Sequence, residues 1–177
     1  MKLNSIIKFA LITPFLLWIF TAVYLNFKFQ DIEWKWDTIK TSDMHFPREF
    51  IWGSATAAHQ VEGNNENNNW YEWENSFDQS GNSRIHNSDK SGKAADHWNL
   101  YNKDITLMKE IGLNAYRFSI EWSKVMPERG IIDKQALKHY RDVSIALIDS
   151  GLVPVVTLHH FTNPLWFERL GGFENED

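Results

Sequence analysis

Two adjacent histidines, His159 and His160, follow an apolar run and are the first residues of the sequence that could do chemistry. The run 153–159 is continuous and rich in β-branched residues, which predicts a strand buried on both faces. Successive side chains on a strand point to opposite faces, so the two imidazoles are poorly placed to bind one ion. A zinc site would also need cysteines or a second histidine group, and the chain has no cysteine. We therefore expect no metal site, with one histidine facing a pocket and the other packing outward.

Two further polar residues, Gln60 and Arg117, lie at or near the other predicted strands. The amide of Gln60 offers a donor and an acceptor to a ligand hydroxyl group, but it could equally tie down a loop backbone. A guanidinium on a buried strand needs an anion, so Arg117 predicts an internal carboxylate partner. That partner could belong to a binding site or to a structural ion pair.

The elements that position these residues follow from the apolar periodicity, which predicts three strands, two helices and one long polar loop. Helices that connect successive strands imply a parallel sheet in a βαβαβ order. No Gly-rich phosphate loop follows a strand, so we expect no nucleotide site. The predicted strands are 50–58, 115–120 and 153–159, the loop is 64–93, and the helices are 95–111 and 134–150. The second helix is predicted to begin after an N-cap at Asp133 and to bury Leu137, Tyr140, Val143 and Leu147.

The composition fits one globular domain with a substantial core. The chain has 177 residues, of which 43% are hydrophobic, and a net charge of -5. A sequence pI near 5.8 and the absence of a basic run give no reason to expect nucleic-acid binding. Nine tryptophans are many for this length, and they suit either a core or stacking on the apolar faces of sugars and other ring ligands.

The N-terminal residues differ in kind from the rest of the chain. Residues 9–27 are apolar and uncharged, and about 19–20 such residues span the hydrocarbon core of a bilayer. A cleavable signal peptide is the alternative, but the bulky Phe20 two positions before Ala22 fits a cleavage site poorly. We therefore predict a cytoplasmic segment 1–8, a single transmembrane anchor 9–27, a connector 28–45 and an exported globular part 46–177.

Three segments of the globular part resemble, in order and spacing, the N-terminal part of family 1 glycoside hydrolases, the β-glucosidase and β-galactosidase family. The resemblance implies a (β/α)₈ TIM barrel, an α/β fold with its active site at the carboxyl ends of the strands. About the first three βα units of that barrel would be present. The segments are FPREFIWGSATAAHQVEGN (Phe46–Asn64), DITLMKEIGLNAYRFSIEWSKVMP (Asp104–Pro127) and GLVPVVTLHHFTNPLWF (Gly151–Phe167).

The resemblance also implies roles for particular residues. Gln60 matches a glutamine that binds sugar hydroxyls, and His160 matches a sugar-binding histidine, whereas His159 falls at a variable position. Arg117 matches an arginine that lies against the nucleophilic carboxylate. Phe161 stands where the family has a tryptophan, so its ring can stack on a sugar but cannot donate a hydrogen bond.

Three other residues near these positions carry a different expectation. Thr162 stands where the family has an aspartate. Glu62 and Glu121 are carboxylates, but the family uses neither as a catalytic residue, so we expect structural roles for both.

The two catalytic glutamates of the family lie in N-E-P and E-N-G segments, and this chain contains neither. We therefore predict an N-terminal fragment of a retaining β-glycosidase, inactive by itself and in need of no cofactor. One alternative is a non-catalytic, membrane-anchored relative that binds sugars or proteins. A phospho-glycosidase of the same family is another. The partners expected are a β-glycoside substrate and a membrane.

Overall fold

The computed structural model describes residues 3–29, 35, 38 and 40–175. It divides into two compact units, Met1–Pro47 and Arg48–Asp177, and each is described by itself. The elements in chain order are the helix α1 (Leu3–Lys28), the strand β1 (Gly53–Ala55), the helices α2 (Ala58–Val61), α3 (Asn69–Glu74) and α4 (His97–Glu110), the strand β2 (Ala115–Ser119), the helices α5 (Trp122–Val125) and α6 (Lys134–Asp149), the strand β3 (Val153–Thr157) and the helix α7 (Leu165–Glu168).

The first unit is built around α1, a helix of 26 residues that contains Pro14. Its side chains are described from Ile12 onward. Over the described ranges, no helix combines the length and the apolar character that crossing a membrane requires. The predicted transmembrane anchor at 9–27 therefore has no support from the described helices. Residues 1, 2, 30–34, 36, 37 and 39, which belong to the predicted cytoplasmic segment and connector, lie outside the described residues.

The second unit contains a parallel sheet in the order β1-β2-β3, as the sequence predicts. The register pairs Ala55 with Arg117 and Arg117 with Val155, so the predicted site arginine lies in the middle of the sheet. The first strand is shorter than the predicted 50–58. At Gly53, an added Cβ would lie 3.0 Å from the Ala115 carbonyl oxygen, so a side chain there would require a backbone shift of a few tenths of an ångström.

The strand β3 is half-exposed, so the prediction of burial on both faces is wrong. Val153 is 51% exposed, and Val155 and Val156 are also exposed. Among the described residues, β3 pairs with β2 alone. A β-branched run predicts a strand correctly, but the burial of its faces depends on elements that the run does not specify.

The helices α4 and α6 connect the strands and pack over one face of the sheet, where the core lies. On α6, the side chain of Asp133 accepts hydrogen bonds from Gln135 N at 2.7 Å and Ala136 N at 3.1 Å, which confirms the predicted N-cap. The core cluster comprises Ile105, Tyr116, Phe118, Tyr140, Val143, Leu147 and Leu152.

One residue of the predicted apolar face of α6 does not reach the core. Leu137 is 43% exposed, whereas its neighbour Ala136 is buried. With about 100° of rotation per residue, Ala136 lies about 40° from the direction of Tyr140 on the same side as Val143, and Leu137 lies about 60° away on the other side. The spacing predicted the helix but placed the centre of its buried face one residue off.

The segment 64–93 is not the unbroken loop that its composition predicts, because α3 lies within it. Asn68 begins this helix, and its side chain accepts a hydrogen bond from Tyr71 N at 2.8 Å. Asparagine is a favoured N-cap residue, so the signal was present in the sequence. The run of asparagines around it gave no reason to select Asn68.

An aromatic stack joins α4 to α6. The rings of Trp98 and His139 lie 3.7 Å apart between centroids and are nearly parallel, and Lys124 Nζ lies 3.8 Å from the Trp98 ring centroid. Burial in this stack, with the charge of Lys124 nearby, lowers the pKa of His139 to about 4. The imidazole is therefore harder to protonate in the folded chain than in the unfolded chain.

This stack predicts a pH-dependent contribution to stability. The unfolded state binds more protons than the folded state between about pH 6.5 and pH 4, so the free energy of unfolding should fall as the pH drops through this window. The substitution His139→Gln should remove that contribution, so the difference in free energy of unfolding between the wild type and the variant should become smaller at lower pH. Urea unfolding at several pH values measures the difference.

The exposed His86 supplies the matched control. The variant His86→Gln, at an exposed position outside the stack, is compared with the wild type over the same pH range. If the difference in free energy of unfolding between the wild type and His139→Gln did not change with pH, that result would contradict the lowered pKa of His139.

Candidate functional site

The carboxyl ends of the three strands lie at one edge of the sheet because the strands are parallel. Gln60 lies on α2, directly after β1, and His160 lies in the loop directly after β3. The first residue of α2 is held at this edge by a hydrogen bond from Ala58 N to Ser119 Oγ, 2.7 Å long, at the end of β2. The edge is therefore where the predicted site residues converge.

Arg117 and His160 are in direct contact. Arg117 Nη2 donates to His160 Nδ1 over 3.1 Å, which fixes the neutral tautomer of this histidine with its proton on Nε2. The Nε of Arg117 is buried and has no hydrogen-bond partner among the described residues. Among the described residues, the buried Nε–H of the arginine and the Nε2–H of the histidine are thus donors of this pair without a partner.

The two histidines lie beyond β3, not on it, so the argument from strand alternation does not apply to them. They nevertheless have different partners. His159 Nε2 and Asn163 Oδ1 are 2.7 Å apart, and the His159 ring contacts Phe173 at 5.3 Å between centroids. Within the described ranges, no group of three or more histidines, cysteines or acidic residues could hold a metal ion.

Phe161 occupies a tight turn next to His160. Its backbone has φ +66°, and Thr162 N donates to the His160 carbonyl oxygen at 2.8 Å across it. The Phe161 ring is 70% exposed and meets the His160 ring edge-on, with 4.7 Å between centroids. The turn therefore exposes an apolar ring beside the unused donor of His160.

Gln60 is exposed on α2, and its side chain makes no hydrogen bond to another described residue. The structure places it at the same sheet edge as Arg117 and His160 but does not bring its amide into contact with them. Its sugar-binding role stays a prediction.

Next to this edge lies a buried polar network centred on Glu62, Glu121 and Tyr140, which we call the carboxylate network. The Tyr140 hydroxyl donates to Glu62 Oε1 at 2.7 Å and accepts from the backbone N–H of Glu121 at 2.9 Å. Glu121 is 0% exposed and accepts from Ser123 Oγ at 2.6 Å and from Thr162 Oγ1 at 3.0 Å. Both carboxylates thus have internal partners, as structural roles require.

Among the described residues, Lys124 is the cation that forms an ion pair with the carboxylate network. Lys124 Nζ lies 3.0 Å from Glu62 Oε2, and the same ammonium group stacks over Trp98. Burial raises the pKa of Glu62, and Lys124 opposes that rise. An open cavity of about 650 Å³ adjoins this pair, but Arg117, His160 and Gln60 do not line it. The cavity therefore does not belong to the site at the sheet edge.

Sequence reasoning identified the two carboxylates but missed the residues that hold them. Periodicity predicts that Tyr140 lies on the core face of α6 but gives no role to its hydroxyl group. A buried tyrosine hydroxyl needs a partner, so this signal was available. Nothing in the sequence indicated that Thr162 contacts Glu121, because 41 residues separate them.

Comparison with known sequences identifies relatives of one kind. The sequence model of glycosyl hydrolase family 1 matches residues 42–177. Beta-glucosidase A of Acetivibrio thermocellus is 38% identical over 139 residues, which cover 77% of this chain and 31% of that protein. The human cytosolic beta-glucosidase is 34% identical over 137 residues, which cover 75% of this chain and 29% of that protein.

Solved structures give the same result. The beta-glycosidase from Pyrococcus horikoshii is 48% identical with a TM-score of 0.64, and the alignment covers 74% of this chain and 29% of that one. The family 1 β-glucosidase from Thermotoga maritima is 32% identical with a TM-score of 0.67, over 73% of this chain and 30% of that one. The chain spans about 30% of the length of the relatives that it matches. Since the family model covers more than three quarters of its residues, the chain belongs to glycosyl hydrolase family 1.

Proposed function

We propose that the whole protein hydrolyses β-glycosidic bonds with retention of configuration, and that this chain supplies part of the sugar-binding site. The observation that carries the proposal is the Arg117–His160 pair, which lies at the carboxyl edge of a parallel sheet. Active sites of (β/α)₈ barrels lie at that edge. The relatives that are named as β-glucosidases favour a β-D-glucoside as the substrate.

The donors of the pair suit two different parts of the reaction. The Nε2–H of His160 is available to a sugar hydroxyl, and Gln60 on the neighbouring α2 offers a second polar group. The unpartnered Nε of Arg117 suits an anion, which in a retaining glycosidase is the nucleophilic carboxylate. The exposed ring of Phe161 can cover the apolar face of the sugar.

The chemical step itself needs two carboxylates about 5–5.5 Å apart, one as nucleophile and one as acid/base. Glu62 and Glu121 do not fit these roles, because Tyr140, Lys124, Ser123 and Thr162 already bond them in the interior. The residues of this chain can therefore bind and orient the sugar. The nucleophile that attacks the anomeric carbon, and the acid that protonates the leaving oxygen, must come from the remaining barrel units.

We expect His160→Ala and Gln60→Ala, made in the whole protein, to lower kcat/KM for an aryl β-D-glucoside. Each loss should correspond to about 1–3 kcal/mol, because a sugar hydroxyl loses its partner in a desolvated site. His159→Ala is the matched control, since its partners are Asn163 and Phe173, and it should cost less. Equal losses at the two histidines would contradict the assignment. A whole protein that binds glucose but hydrolyses no β-glycoside would favour the non-catalytic alternative.

We expect residues 46–177 expressed alone to hydrolyse no aryl β-glucoside. The site residues of this segment can position a sugar but cannot attack or protonate the glycosidic bond. The segment should also fold poorly and aggregate, because β3 presents an apolar, half-exposed edge and Arg117 has no carboxylate partner among the described residues. Turnover measured with this segment would overturn the catalytic part. A cooperative urea transition of ordinary steepness would overturn the folding part.

We also propose that the protein is exported and that residues 9–27 retain it at the membrane, with the globular part outside. The support comes from the sequence: residues 9–27 carry no charge, and Lys2 and Lys8 precede them. The expected result is a protein that stays with membranes through a high-salt wash and has its N-terminus at or near Met1. Deletion of residues 1–45 is the control and should release it. A mature N-terminus near Val23 would show a cleaved signal and contradict the anchor.

A further inference from the structure

We propose that the hydrogen bond between Glu121 and Thr162, the Glu121–Thr162 clasp, holds the turn at Phe161 and thereby positions His160 for the sugar. The clasp joins the end of β2 to the loop after β3, 41 residues later. Neither residue touches the substrate in this proposal, so both are positioning residues. The inference rests on the proposed sugar-binding role of His160 and names what fixes that histidine in place.

The turn at Phe161 is a strained backbone conformation that needs contacts from other residues to stabilise it. A positive φ at the central residue, closed by a hydrogen bond from Thr162 N to the His160 carbonyl, is the pattern of the rarer and more strained γ-turn. A positive φ at a bulky residue costs free energy, and the conformation persists only where contacts with other residues offset that cost. The ring of Phe161 is exposed, so side-chain packing supplies little of that constraint.

The constraint comes instead from the residue that follows. Thr162 is buried, and its hydroxyl donates to Glu121 Oε2 at 3.0 Å. Glu121 is itself immobile: its other oxygen accepts from Ser123 Oγ at 2.6 Å, and its backbone N–H donates to the Tyr140 hydroxyl at 2.9 Å. A hydrogen bond to a carboxylate in the interior is stronger than one between neutral groups, so it can offset the strain of the turn.

A second restraint fixes the next residue but leaves the turn to the clasp. Asn163 N donates to Asn69 Oδ1 at 2.9 Å, and Asn69 N donates to the Asn163 carbonyl at 3.0 Å. These bonds attach the loop to α3 beyond the turn. Between this attachment and β3, His159 bonds to Asn163 within the loop and His160 bonds to Arg117. The hydroxyl of Thr162 is the contact that ties the turn to the carboxylate network. The position of His160 against Arg117 therefore depends on it.

The test compares two donors to the same carboxylate in the whole protein. Thr162→Val keeps the shape of the side chain but removes the donor to Oε2, and Thr162→Ser restores it. Ser123→Ala removes the donor to Oε1, on the side away from the turn, and is the matched control. All four proteins are assayed well below their midpoints of thermal unfolding, with an aryl β-D-glucoside as substrate.

For Thr162→Val we expect KM to rise about tenfold, equivalent to about 1.4 kcal/mol, with a small change in kcat. Loosened sugar binding weakens the ground state and the transition state alike, which appears in KM. Thr162→Ser should restore KM. Ser123→Ala should lower the midpoint of thermal unfolding but leave KM unchanged, because it destabilises the network without releasing the turn.

A readout that does not need turnover separates this inference from the proposed function. In histidine-selective ¹⁵N NMR spectra, the Nδ1 resonance of His160 should shift in Thr162→Val, because the hydrogen bond from Arg117 Nη2 is lost, and it should stay in place in Ser123→Ala. A wild-type protein that hydrolyses no β-glycoside would overturn the proposed function, and the NMR comparison would still decide the clasp. An unshifted resonance and unchanged KM in Thr162→Val, or equal effects in Ser123→Ala, would overturn the clasp. If Thr162→Val does not fold, Thr162→Ala, which also removes the donor to Oε2, replaces it and the same outcomes apply.

Discussion

The burial of two carboxylates beside one tyrosine hydroxyl is the interaction on which the rest of this structure depends. Removing a charge from water is costly unless each oxygen finds a partner, and a single hydroxyl cannot satisfy two carboxylates. Glu62 and Glu121 therefore bind groups from three separate parts of the chain: Tyr140 from α6, Lys124 and Ser123 from α5, and Thr162 from the loop after β3. The need to satisfy these oxygens fixes how the loops after β1, β2 and β3 lie relative to one another.

The apolar helix faces and the carboxylate network therefore stabilise different parts of the structure. Burial of Val143, Leu147 and their neighbours holds α4 and α6 on the sheet, but apolar contacts tolerate small shifts of the loops. Hydrogen bonds in the interior do not, because an unmade bond leaves a desolvated group. The hydrogen bonds of the carboxylate network thus restrict the positions of the loops at the carboxyl edge more than apolar contacts would.

The parts of the fold that the sequence predicts are those set by local chemistry. The N-cap at Asp133, the helix that follows it and the parallel order of the three strands rest on periodicity and capping, which act over a few residues. The exposure of Val153 and the off-face position of Leu137 depend on tertiary packing, so local patterns could not fix them. At the site, an arginine on a predicted buried strand predicts a carboxylate partner, and Arg117 has none among the described residues. That its partner is His160 Nδ1, and that the loop is held by Glu121, depends on contacts between distant residues.

The sheet order β1-β2-β3 repeats the order of synthesis. Within the described sheet, each new strand can join the edge left by the previous one. The clasp is the exception, because Glu121 emerges well before Thr162. Until Thr162 is made, Oε2 of Glu121 has only the longer contact from Asn65 Nδ2, 3.4 Å away, and water can occupy the place of the threonine hydroxyl. The carboxylate network is therefore completed only when the loop after the third strand has been synthesised.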